Sequence, residues 1–380
     1  LYKVRYEEAE SERTDYDAAL EVESILDLAR QRMQEARLSW HYRSRDAALI
    51  NFSNHAFYEG RLQVVPLAEK DKDFQPAVSW VSVQGLWEKN SNMAEAERVV
   101  MLVDELLAKE IPPSIGVVTF NYPQQELIKD LLEKRLVDLA ANDDPRYAAL
   151  QRAMLPPPSE ADAGIFVKNI ENVQGDERDV IIFSIAYAPN EAGKLNTHFG
   201  LLSQRGGENR LNVAISRAKR QAFVVCSFRP EALNVEDATH PGPKLLQRFL
   251  QYAYALSEGR NEEAHHLLES TGSRTNISLP NPLADEVAQA LEAKGYTIVR
   301  DLGDTAFKLD LAIQHPDGTF ALGITCEGPH YFSGTTAKAR EIYRRALLRD
   351  RGWKVYHVWA RNWREGQDRV LDSITLAMGK

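Results

Sequence analysis

Apolar positions in this chain fall into two rhythms. Four short runs, "IGVVTF" (115–120), "GIFVKNI" (164–170), "DVIIFSIAYA" (179–188) and "QAFVVCSF" (221–228), are nearly continuous. Such runs suit strands buried on both faces of a parallel sheet. Elsewhere the apolar residues return every three or four positions: Val22, Ile25, Leu26, Ala29 and Met33 within 15–37, then "NMAEAERVVMLVDELLAK" and "PQQELIKDLLEKRLVDLA". Each of these predicts an amphipathic helix. Strands alternating with helices predict a doubly wound α/β domain whose ligands sit at the carboxyl ends of its strands.

The pattern changes beyond the last run. A polar and proline-rich insertion is expected near 141–163, a loop at "RPEALNVEDATHPGP", one helix at "KLLQRFLQYAYAL" and a linker at "STGSRTNISLPNP". The last hundred residues restart a smaller α/β pattern: a helix over 283–294, strands near 296–300, 307–313 and 319–326, a helix over 337–350, a strand over 353–359 and a final helix. The expected division is 1–230, a helical linker 231–280, and 281–380.

Composition narrows the classes. With 44% apolar and 27% charged residues the chain reads as globular, and no apolar run approaches the roughly 20 residues of a membrane span. The opening "LYKVRYEEAESERTDYD" has no methionine and no apolar signal core, so neither secretion nor a complete protein is expected. Two cysteines, Cys226 and Cys326, both in apolar contexts, fit a reducing cytoplasm and not a disulfide or zinc scaffold. A net charge of −9 argues against indiscriminate coating of nucleic acid but allows a local basic channel.

Candidate chemistry lies in four polar stretches: "HYRSR" (41–45), "TFNYPQQ" (119–125), "NVQGDERD" (172–179) and "RLNVAISRAK" (210–219). Singly, they read as a surface cluster, a strand end, a turn and an amphipathic helix. In this order and spacing they resemble the second RecA-like lobe of superfamily 1 helicases, in the branch of the nonsense-mediated-decay helicase and its bacterial relatives, over residues 1 to about 230. The resemblance implies that Arg43 and Arg217 face the γ-phosphate of ATP, where a planar guanidinium fork is worth roughly 10³ to 10⁵ in rate. It implies that Tyr42 stacks on the base, that Gln174, Gly175 and Glu177 border the nucleotide with Glu177 on the ribose, and that Thr119, Gln124, Asn172 and Asn212 contact a single strand. Glycine at 175 would let the backbone come close to the ligand. Nothing matches the phosphate-cradling loop G-x-x-x-x-G-K-[ST], and the "VDE" at 103–105 lies in a helical pattern. The chain is therefore expected to hold half of an ATP site, completed by an upstream RecA-like lobe.

The phrases "GYTIVRDLG", "FKLDLAIQHPDG", "ALGITCEGPHY" and "RGWKVYHVWARNW" resemble the restriction-endonuclease-like domain, of the PD-(D/E)xK type and related to the very-short-patch repair endonuclease, that ends many large bacterial helicase-like proteins. That resemblance implies DNA cleavage with Mg²⁺ held by clustered carboxylates, here Asp310 and Glu327 with Glu286. Period-two alternation puts Asp310 opposite Leu309 and Leu311, turns Thr325 and Glu327 outward, and lets a hairpin at "QHPDGT" bring Asp310 beside them. The set is depleted. Thr325 stands where relatives carry an acid, Glu327 where they carry aspartate, and Ala284 at the first glutamate of the helix. Since Mg²⁺ demands strong oxygen donors, an inactive or slow nuclease is expected ahead of an active one. The basic positions Lys338, Arg340, Arg344 and Arg345 offer a DNA or partner grip instead. Three readings stay open: the C-terminal part of an ATP-dependent DNA helicase, a non-catalytic DNA-binding or regulatory module, and a stand-alone metal-dependent endonuclease.

Overall fold

A computed structural model describes residues 38–69, 71–155, 164–272, 280–305, 307–334 and 336–379, with 29, 33 and 34. The helix expected over 15–37 lies outside them, apart from those three positions. Five strands form one parallel sheet: β1 (Val78–Ser82), β2 (Ile115–Thr119), β3 (Phe166–Asn169), β4 (Arg178–Ser184) and β5 (Ala218–Cys226), in the order β1-β5-β4-β2-β3. Of the four runs read as doubly buried, β2, β4 and β5 are inner strands, whereas "GIFVKNI" forms the edge strand β3, half-buried at Val167 and Lys168. Successive residues of β4 serve opposite cores, with Ile181 and Phe183 in one and Val180 and Ile182 in the other.

Helices α1 (Ala48–Phe57), α2 (Met93–Leu107), α3 (Tyr122–Ala141), α4 (Arg146–Met154), α5 (Gly207–Ile215), α6 (Pro241–Ser257) and α7 (Asn261–Thr271) cover the two faces. Val99 and Val103 of α2, Ile128 and Leu132 of α3 and Leu150 of α4 pack on one face, whereas Phe52, Leu211, Phe249 and Leu268, from α1, α5, α6 and α7, pack on the other. Asn92 and Asn121 start α2 and α3 by accepting from the amides of Glu95 and Gln124. Three elements depart from the sequence reading. The edge strand β1 pairs with β5, α4 lies inside the expected insertion, and α7 follows α6.

The second sheet orders β6 (Thr297–Leu302), β7 (Leu309–Gln314), β8 (Phe320–Cys326) and β9 (Val355–Val358), antiparallel except for the parallel β8–β9 pair. Leu311, Ile313, Leu322 and Ile324 pack against α8 (Pro282–Ala293) and a C-terminal helix, Gln367–Ala377. Phe307, Leu309, Leu348 and Trp353 form a separate cluster that takes in Val65 and Ala68 from the segment after α1. Residues 41–380 form one compact unit holding both sheets. No described helix is long and apolar enough to cross a membrane.

Candidate nucleotide site and the second sheet

Three stretches far apart in sequence meet at the amino ends of β4 and β5. The loop before α1 is fastened to β5, with Arg45 N donating to Lys219 O at 2.8 Å and Ser44 Oγ to Ala218 O at 2.9 Å. From it, Arg43 donates Nε to Glu177 Oε2 at 2.6 Å and Nη1 to Ser216 O at 3.1 Å. Lys219 Nζ holds the other oxygen of Glu177 at 2.8 Å. Arg217 lies in the turn between α5 and β5, one residue past the helix cap, and donates to Val213 O at 2.6 Å and Asp176 O at 3.3 Å. Among the described residues, its guanidinium has no carboxylate partner of its own. Gly175 has φ +90° and open space where a Cβ would stand, so the turn needs glycine for its backbone conformation.

The electrostatics place these cations in one neighbourhood. Burial, then Arg43, Arg351 and Arg217, push His41 down to about 4, so the imidazole is neutral and its Nε2 accepts from Ser44 N at 3.0 Å. Burial opposes ionisation of Glu177, but Lys219 and Arg43 hold its carboxyl below the usual range. Burial and the repulsion of Arg43 lower the Arg217 guanidinium. Two guanidiniums that repel each other at a half-buried turn favour an anion between them, and the fork geometry suits a phosphate. Tyr42 is 75% exposed beside them, and Gln174 is exposed on the adjoining turn.

The remaining polar candidates are dispersed. Thr119 and Gln124 lie at the carboxyl ends of the sheet, fully buried: Thr119 Oγ1 donates to Asn121 O at 2.8 Å, while Gln124 bonds both backbone groups of Asn92 and the Ser184 hydroxyl. Asn172 is exposed in a turn, and Asn212 on α5 donates to Tyr58 Oη at 3.0 Å. Sequence reasoning missed Glu95, which lies under the same carboxyl ends with 0% exposure and accepts from Ala186 N, Ser184 Oγ and Ser227 Oγ. An acid in the midst of the apolar face of "AEAERVVMLV" was its signal. Lys219 and Arg351 were missed too; Lys219 stood two residues from a chosen arginine.

In the second sheet, Asp310 does not face solvent. It is 3% exposed and accepts from Cys326 N at 3.0 Å and Asn281 Nδ2 at 3.3 Å, while burial raises its carboxyl pKa. Thr325, expected outward, is 4% exposed and bonds His357 Nδ1 at 2.8 Å, because β9 pairs beside β8 and covers it. Glu327 accepts from Ala360 N at 3.1 Å, and Glu286 from the Trp363 indole at 2.9 Å. Each carboxylate thus serves a different structural partner, and among the described residues no three His, Cys, Asp or Glu side chains group as a metal site. The donor set does not fit Mg²⁺, which needs near-octahedral oxygen ligation. Three of the four basic residues are committed: Arg344 reaches Lys308 O, Arg340 donates to Gly334 O at 2.8 Å, and Arg345 pairs Glu341 at 2.8 Å, while Lys338 is exposed over the Tyr343 ring.

An Asp310→Ala chain should therefore lose roughly 2–4 kcal/mol in urea unfolding, since two buried donors are stranded, whereas Asp310→Asn should keep most of it. Equal stability of the two variants would contradict this structural role.

Comparison with known proteins agrees with both halves. The family described as AAA domain matches residues 21–229, and the restriction-endonuclease-like family designated REase_MTES_1575 matches 284–378. A Mycoplasma pneumoniae protein named as an ATP-dependent helicase, the MG140 homolog, is 30% identical over 371 residues, covering 96% of this chain and 32% of the relative. MG140 of Mycoplasma genitalium, also named an ATP-dependent helicase, is 29% identical over 376 residues with the same coverage. The ATP-dependent helicase MJ0104 of Methanocaldococcus jannaschii is 24% identical over 200 residues, 47% of this chain and 24% of the relative. The chain spans about a third of the length of the two Mycoplasma relatives. Through residues 21–229, more than half its length, the chain belongs to the AAA-domain family, followed by a restriction-endonuclease-like domain.

Proposed function

We propose that the chain is the second motor lobe and trailing domain of an ATP-dependent helicase or translocase acting on DNA. The observation that carries this reading is the meeting of Arg43 and Glu177, 134 positions apart, at 2.6 Å beside Arg217. The site presents paired cations and an acid that suits a ribose hydroxyl, but among its segments no loop to cradle the phosphates. A lobe with a P-loop therefore supplies the rest. Arg43 and Arg217 then stabilise charge on the transferring phosphoryl group; a Mg²⁺ held by that lobe would supply further charge neutralisation. Thr119 and Gln124 act from below, by shaping the Asn121–Tyr122 corner against which a single strand runs, with Asn172 and Asn212 as further polar contacts. The proposed division follows the family matches, with the motor lobe before the helical segment and the restriction-like fold after it, as a non-catalytic module.

Joined to such a lobe, the protein should hydrolyse ATP with stimulation by single-stranded DNA, and the stimulation should fall steeply between low and physiological salt. Phosphate release measured with and without DNA checks this; turnover that ignores nucleic acid, or none at all, defeats the motor reading. Plasmid cleavage with Mg²⁺ or Mn²⁺ is expected to be absent, and cleavage that is lost on Asp310→Asn, the variant that keeps the fold, would restore the endonuclease alternative.

A further inference from the structure

The segment 61–69 joins the two sheets and returns to the loop that carries Arg43. At its start, Leu62 N donates to Asn54 Oδ1 of α1 at 2.8 Å, and His41 N donates to Gln63 O at 3.0 Å. It then crosses the second domain. Val64 exchanges two bonds with the buried Thr305 hydroxyl at 2.9 and 3.2 Å, Trp353 Nε1 donates to Pro66 O at 2.8 Å, and Ala68 N donates to Arg351 O at 3.1 Å. Val65 and Ala68 are buried among Phe307, Leu309, Leu348 and Trp353. Arg351 closes the ring by donating Nη2 to Tyr42 O at 2.8 Å, one residue before Arg43. The cluster that receives the strap is separate from the one beneath α8, so this face of the sheet is shared between the first domain's strap and its own helix Arg344–Asp350, which contributes Leu348.

We propose that the restriction-like domain is a positioning element for the motor: Arg351 and the strap 61–69 hold residues 41–45 in the geometry from which Arg43 reaches the nucleotide. The proposal rests on the reading of Arg43 given above. It accounts for a domain whose three candidate carboxylates are structurally engaged yet whose sheet face packs on the strap while Arg351 bonds the arginine loop. Arg351 is a positioning residue: its side chain donates to the Tyr42 carbonyl, and its own carbonyl accepts from Ala68 of the strap.

The test combines two readouts. In the 380-residue chain, amide hydrogen exchange over residues 41–45 should accelerate about five- to tenfold in Arg351→Ala, the loss of one hydrogen bond from a charged donor, with an unchanged melting temperature. Arg351→Lys, which retains a donor, should recover part of the difference, and Thr305→Val should loosen the strap in the same direction. In the protein joined to a P-loop lobe, Arg351→Ala should lower kcat for ATP about fivefold and leave KM within about twofold, since loop geometry matters most in the transition state. Unchanged exchange in Arg351→Ala overturns the proposal. So does faster exchange with unchanged turnover, provided that Arg43→Ala abolishes turnover in the same protein. If Arg43→Ala itself retains normal turnover, the arginine reading has failed, and the brace, as a device for placing Arg43, falls with it.

Discussion

Arg217→Ala, in the protein completed by a P-loop lobe, should lose about 10³-fold or more in DNA-stimulated kcat, the range for an arginine that meets the transferring phosphoryl group. The fold should survive. Arg217 donates to Val213 O, Asp176 O and the Ser216 hydroxyl, in a turn that remains capped by its own backbone bonds. Nor is its guanidinium bound to any described carboxylate, so a phosphate displaces no strong partner. Arg43 begins from a different state. It is bonded to Glu177, so nucleotide binding must exchange that bond for one to phosphate, with Lys219 keeping Glu177 paired meanwhile. Arg43→Ala should therefore also abolish turnover while leaving Glu177 charged and the melting temperature little changed. Arg217→Lys should rescue poorly, because a lysine is a point charge without the planar fork. Steady-state phosphate release over a range of ATP concentrations decides the matter. Either alanine variant within tenfold of the parent kcat would remove that arginine from the nucleotide site.

The parts of the fold legible in sequence were those where one force dominates. β2, β4 and β5 are buried on both faces, so their apolar runs are unbroken and periodicity alone finds them. β1, "VSWVS", is a sheet edge with three half-buried residues, and an alternation this short is hidden among ordinary loop residues. Helix α7, "NEEAHHLLEST", buries Ala264 and Leu268 with Leu267 packed beside them, too short a pattern to find among polar neighbours; packing against α6 fixes it as a helix. The arginine site was legible because its residues carry the chemistry themselves. This cluster lies at the amino ends of β4 and β5, whereas the sequence reading looked for ligands at the carboxyl ends, where helix amino termini and loops gather. Thr119 and Gln124 were legible as polar residues at a strand end, but not as buried ones: their burial depends on Asn92 and Ser184, brought from other elements. Asp310 was legible as an isolated acid on a strand. That it is sealed by Asn281 and the Cys326 amide follows from the chain crossing of β7 and β8 with the start of α8, which no local pattern encodes.

The largest stability effect is expected at Glu95. Its Oε2 accepts from Ala186 N at 2.7 Å and Ser184 Oγ at 3.1 Å, and its Oε1 from Ser227 Oγ at 2.8 Å and Asn92 Nδ2 at 3.2 Å. Glu95→Ala strands these donors and opens a cavity where exposure is 0%, so a loss of about 3–5 kcal/mol is expected even near pH 5. The parent side chain carries its own pH dependence. Burial, only partly offset by these bonds, raises its carboxyl from an ordinary value of 4.5 to about 7. Below pH 4.5 the group is protonated both folded and unfolded and costs nothing. Between pH 4.5 and about 7 the unfolded chain releases the proton while the folded one keeps it, so stability falls as pH rises. By pH 8 the difference reaches about 3 kcal/mol, since a tenfold change in proton affinity between folded and unfolded chains is worth about 1.4 kcal/mol. Glu95→Gln has the same shape and no ionisation. Its unfolding free energy relative to the parent should therefore rise by about 3 kcal/mol from pH 4.5 to pH 8, whatever constant offset the amide introduces. Parallel pH profiles for parent and Glu95→Gln in urea unfolding would show that the carboxyl ionises as readily folded as unfolded. The consequence reaches the surface through Ser184, which bonds both Glu95 and Gln124, while the amide of Gln124 caps onto Asn121. Ionising Glu95 thus stresses the network that shapes the Asn121–Tyr122 corner, and the cost of that charge falls on the carboxyl edge of the sheet and not on the arginine site at its amino edge.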